Sequence, residues 1–179
     1  MKQFYSGFLA VTLALVIVFL YGCHHGADSH TNENKQIIIT AKSFAGALTN
    51  IKAGDWTDSA KGTAANVSIA LELSEDKTSI TNISFIIKEI KWEIKTAGSD
   101  TTGTSSGGKF YLNGPFPIKN NTFNTTLSSD ASSINGSTIG RFVSPNEVQG
   151  SAHLYNQEMV GSQLYHIDLG EWQWTATAK

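Results

Sequence analysis

From residue 36 onward, apolar side chains recur at every second position, and a chain patterned with a period of two buries one face only as a β-strand. The clearest case is NVSIALELS, in which Val67, Ile69, Leu71 and Leu73 alternate with Ser68, Ala70 and Glu72. This predicts a half-buried strand. The turn SEDKTS leads into ITNISFIIKEIKWEIKT, where Ile83, Phe85 and Ile87 share one parity and Ile90, Trp92 and Ile94 the other. One strand cannot keep both sets on one face, so a bulge or bend is expected near Lys88 and Glu89. Glu89, Lys91, Glu93 and Lys95 would line the solvated face.

The rest of the body follows the same pattern. AGSDTTGTSSGGK is too poor in apolar residues to pack and reads as the most flexible loop of the body, with floppy connection favoured over ligand loop. PFPIKNNTFNTTL reads as a hairpin, with Phe116 and Ile118 before a turn at Asn120 and Asn121 and with Phe123, Thr125 and Leu127 after it. STIGRFVSPNEVQGSAHLY reads as a second hairpin around Ser-Pro-Asn-Glu, and the chain closes on a strand carrying Trp172, Trp174 and Ala176. FAGALTNIKAGDW holds one helical turn at most. Short strands about a dozen residues apart, without an amphipathic helix, predict an all-β fold: an antiparallel two-sheet sandwich of jelly-roll or Ig-like type, or a barrel.

Composition narrows the role. The chain has 179 residues, enough for one domain of ordinary size, 36–179, behind a processed leader. Its formal charge is −2 and its basic residues are scattered singly, so no patch neutralises phosphates and nucleic acid is excluded as a partner. A single cysteine permits no intramolecular disulfide.

That cysteine has a marked position. Lys2 supplies a positive start, and residues 4–22 carry no charge and are rich in Leu, Val, Ala, Ile and Phe, as an export signal requires. The run ends in Leu20, Tyr21, Gly22 and Cys23, which resembles the lipobox of bacterial lipoproteins, with Tyr21 standing where that pattern prefers a smaller residue. The resemblance implies a signal peptide over 1–22, diacylation of Cys23 through its sulfur, and residence at the bacterial cell membrane or outer membrane with the body outside the cytoplasm. Membrane lipid is then the first partner, through acylated Cys23. An uncleaved helix or an ordinary secretory signal is the alternative, because the run is almost as long as the roughly 20 residues a bilayer span needs. Residues 23–35 are polar, without apolar period, and read as a flexible tether. His24, His25 and His30 lie in it, where no geometry holds them as metal ligands.

The body, in turn, is similar to small exported bacterial β domains of undefined role. Gly140, Phe142, Ser144, Gly150 and Trp174 are the matching positions, and the resemblance implies a fold and no activity.

The search for chemistry yields few candidates. No G-x-S-x-G, H-E-x-x-H or S-x-x-K motif is present. His153 and His166 flank NQEMVGSQ and would approach each other if their strands pair, but without a third ligand a surface pair is the better reading. Asp55 and Asp58 flank Trp56, and Glu75 and Asp76 share a turn; neither set has a calcium-loop register. The sequons at Asn66, Asn82, Asn121, Asn124 and Asn135 are incidental behind a bacterial leader. Trp172 and Trp174 project from one side of one strand: exposed they would make a sugar-stacking platform, buried they are core, and the polar Gln173 and Thr175 between them favour core. The expectation is a lipid-anchored envelope protein with a non-catalytic β-sandwich, needing no cofactor or metal. The alternative is a carbohydrate-binding or adhesion module, with a glycan or another envelope protein as partner.

Overall fold

The computed structural model describes residues 36–57, 59–96, 98–127 and 134–179, and every regular element in them is a strand. In chain order these are β1 (Ser43–Lys52), β2 (Ala60–Ala65), β3 (Ser68–Leu73), β4 (Ser79–Ile86), β5 (Glu89–Lys95), β6 (Asp100–Ser106), β7 (Lys109–Pro117), β8 (Thr122–Leu127), β9 (Ile134–Ser144), β10 (Glu147–Val160) and β11 (Gln163–Ala178). All pairings are antiparallel. Eight strands form one sheet in the order β7-β4-β3-β1-β11-β10-β9-β8, nearly closed into a barrel, and β2-β5-β6 form a small second sheet. The all-β, antiparallel, two-sheet expectation holds, with the larger sheet taking the barrel form. The eight-to-three division differs from the more even layers of a jelly-roll or Ig-like sandwich.

The parity change after Ile87 marks the crossing between the sheets: β4 ends at Ile86 in the large sheet and β5 begins at Glu89 in the small one. Ile87 stays buried between them, its N–H donating to the carbonyl of Gly108 (3.0 Å). The bend is thus a change of sheet rather than a bulge.

Three local expectations are corrected. The Ser/Thr-rich segment read as a loop is the edge strand β6, paired with β5 from Lys95↔Asp100 to Glu89↔Ser106. Backbone pairing needs no apolar side chain, and Gly103 gives room to the indole of Trp92, which would lie 2.1 Å from a Cβ placed there. The segment granted one helical turn is β1, held between β3 and β11. The first hairpin has its turn, with Asn120 and Asn121 both at positive φ as a type I′ turn demands, but only Lys119↔Thr122 bridges across it. Beyond that bridge β7 pairs with β4 and β8 with β9, so the turn joins the two edges of the large sheet. The second hairpin forms as expected, β9 with β10.

The barrel interior is filled by side chains. Phe44, Leu71, Ile83, Phe85, Phe142 and Leu154 are fully buried; Phe44 meets Phe142 edge-on at 5.5 Å and Phe85 stacks on Phe110 at 5.1 Å. Burying each such side chain contributes roughly 1.5–3 kcal/mol. One inward row explains two of the matched glycines. Leu48, Trp174, Gly150, Gly140 and Phe123 are cross-strand neighbours in that order. The Trp174 ring lies across both glycines, 2.3 Å from a Cβ built on Gly150 and 2.8 Å from one on Gly140, so any side chain there would displace it.

Candidate functional site

The richest polar cluster of the body forms where β11 breaks its alternation. Tyr165, Ile167 and Leu169 point inward, then Trp172, Trp174 and Ala176 do, and the change of parity is a bulge at Leu169 and Gly170 opposite Leu154. Gly170 has φ +86, a backbone that favours glycine, and the chain after β1 passes so close that a Cβ on it would lie 2.1 Å from the Lys52 carbonyl oxygen. Gly54 meets the carbonyl of Asp168 equally closely, at 1.8 Å from its own would-be Cβ. The bulge therefore seats the segment that follows β1.

Asp168, 6% exposed, lies beneath that segment. Its Oδ1 accepts the N–H of Gly170 (2.7 Å) and the Nε2–H of His153 (2.8 Å), and its Oδ2 accepts the N–H of Asp55 (3.2 Å). With Nε2 donating, His153 Nδ1 is left to accept from the Tyr155 hydroxyl at 3.4 Å, and the two rings stack with centroids 4.5 Å apart. On the rim, Lys52 pairs with Asp55 at 2.8 Å and lies 3.7 Å from Glu171. The Lys52 ammonium holds the Asp55 carboxyl below its ordinary range, and Asp55 in turn raises Lys52.

A histidine oriented by a carboxylate is the base half of a nucleophile-activating triad. Here the group at the free imidazole nitrogen is a phenol. Burial, and then the charges of Asp168 and Glu171, push Tyr155 above its usual value near 10, so it stands at neutral pH as an uncharged donor rather than a nucleophile. The carboxylate is likewise engaged by two backbone N–H groups. The cluster acts as a brace fastening the β1–β2 connection to the β10–β11 hairpin.

The sequence candidates are placed as follows. Trp172 and Trp174 are both 3% exposed, their N–H groups donating to the Leu169 carbonyl (3.1 Å) and the Thr138 hydroxyl (3.2 Å). A stacking platform needs an open ring face, so this pair is core and offers no ligand site. His153 and His166 are not brought together: His153 pairs across the strands with Glu171, and His166 is exposed beside Gln157. Among the described residues no group of three His, Cys, Asp or Glu is arranged to hold a metal. Asp76 organises its turn, accepting from the Ser74 hydroxyl (2.6 Å) and the Thr78 N–H (3.1 Å). Trp56 is exposed, with the ammonium groups of Lys61 and Lys95 at 4.6 and 4.2 Å from its ring. Cys23, the tether histidines and Asp58 lie outside the described residues.

Sequence reasoning missed Asp168. The available signal was the parity change between Leu169 and Trp172, of the kind that predicted the bend near Lys88. No protein-family model, curated protein or solved structure matches the chain.

Proposed function

We propose that the protein is a lipid-anchored component of a bacterial envelope, and that its β domain is a non-catalytic module presented to partners outside the cytoplasm. The observation that carries the reading is Cys23, the sole cysteine, placed after Leu20, Tyr21 and Gly22 at the end of an uncharged run and before a polar tether. Two or three acyl chains at one residue give stable anchoring, at about 0.8 kcal/mol per buried methylene, where one chain gives only marginal binding. Two features of the body support the non-catalytic part: side chains fill the barrel interior, and the His153–Asp168 pair is spent on bracing, which leaves the outer faces as the surfaces open to a partner.

Replacing Cys23 by Ser tests the anchor. The wild type incorporates labelled palmitate and sediments with membranes; the variant loses the label and accumulates as precursor or soluble protein. Label persisting in Cys23→Ser would refute lipidation at this thiol.

A further inference from the structure

The outer face of the large sheet carries a trough that runs across its strands. Its floor is the backbone of the row Trp174, Gly150 and Gly140, whose side-chain positions all point inward. Its walls are two parallel rows of outward side chains: Thr175, Gln149 and Arg141 on one side, Thr49, Gln173, Ser151 and Ile139 on the other, each row in direct cross-strand register. The trough crosses β1, β11, β10, β9 and β8, a span on the order of 20 Å at ordinary strand spacing.

Its lining carries one charged side chain, a cation. Arg141 is exposed, is the only arginine of the chain, and has no ion-pair partner among the described residues. No Asp or Glu is among the described residues that line the trough. One carboxylate, Glu147, stands at its rim beside Gln149, whose Nε2 donates to it at 2.7 Å, and it keeps its negative charge. The concavity on the small sheet differs, because there Lys61 and Lys91 are already paired with Glu93 and Glu89 at 3.0 and 3.3 Å.

We infer that this trough binds an extended acidic polysaccharide, with a sugar carboxylate taken by Arg141 and ring hydroxyls by the carboxamides and hydroxyls along both rows. This rests on the reading of the domain as a non-catalytic binding module. A planar guanidinium matches a carboxylate with two parallel hydrogen bonds. Gln and Thr side chains supply both donors and acceptors, as hydroxyl recognition needs, and the exposed Ile139 offers an apolar edge to a sugar ring. The net charge of −2 does not forbid an acidic ligand, because at physiological salt charges farther than about 8 Å are largely screened and the local guanidinium dominates.

The test is retention of the full chain, solubilised from membranes, on immobilised polygalacturonate, dextran and polyglutamate. Retention on polygalacturonate alone is expected, weakened about tenfold by Arg141→Gln and restored only in part by Arg141→Lys, which returns the charge without the two parallel hydrogen bonds, with unchanged tryptophan fluorescence showing that the variants fold. Absence of wild-type retention on polygalacturonate, or equal retention of Arg141→Gln, overturns the inference. So does equal binding to dextran, which removes the role of the carboxylate, or equal binding to polyglutamate, which puts a polypeptide in the trough. Palmitate labelling of the same preparation reports on the anchored reading separately.

Discussion

At the scale of single residues, Asp168 concentrates the most consequence. Three donors converge on it beneath the Gly54 backbone, and two of them belong to chain segments remote in sequence. Asp168→Asn replaces a charged acceptor by an amide whose NH₂ faces existing donors, so a loss of about 2 kcal/mol is expected in urea unfolding. Tyr155 gives a pH signature. Its folded pKa is raised, so its contribution to stability is complete below about 10 and is lost as pH rises through the folded value. Tyr155→Phe should therefore shed part of the alkaline destabilisation seen in the wild type; identical stability profiles between pH 9 and 11 would contradict this. Asp55 works with the opposite sign, being depressed by Lys52: its contribution is present above its ordinary value near 3.8 and disappears on acidification below it.

At the scale of elements, the edge strand β6 shows how a polar sequence earns a place in a sheet. It supplies backbone groups to β5, and its one absent side chain, at Gly103, accommodates Trp92. Two substitutions in this strand should act in opposite directions. Gly103→Val drives a branched side chain into the indole and should cost about 2–3 kcal/mol, as overpacking does. Ser105→Ala removes a buried hydroxyl that has no hydrogen-bond partner, and should be neutral or stabilising by up to about 1 kcal/mol. Thermal unfolding of the two variants separates these outcomes.

At the scale of the whole molecule, the buried residues of both sheets form one continuous core within Gln36–Lys179. A chain of residues 36–179 should accordingly unfold in a single cooperative transition, with the midpoint of the full-length protein; two transitions by tryptophan fluorescence and circular dichroism would show that the small sheet melts alone. The two end strands of the nearly closed large sheet, β7 and β8, are consecutive in the chain and joined by the Asn120–Asn121 turn.

The local sequence by itself determined that the body is of the all-β class, because side-chain alternation along an extended backbone is a property of neighbours. Val67 to Leu73, the Asn120–Asn121 turn, the β9–β10 hairpin and the parity change at Lys88 were all legible for that reason. So was the inward preference of Trp172 and Trp174, set by the polar residue between them. Tertiary structure alone decided which strands pair and what meets across the bulge. Asn120 and Asn121 specify a reversal but not the partners of the strands that leave it, and β6 became a strand only because β5 offered it an edge. The meeting of His153 with Asp168, and the alignment of Arg141 with Gln149 and Thr175, come from register between strands distant in sequence. Register arises from collective packing, which a residue's own neighbours in the chain do not encode.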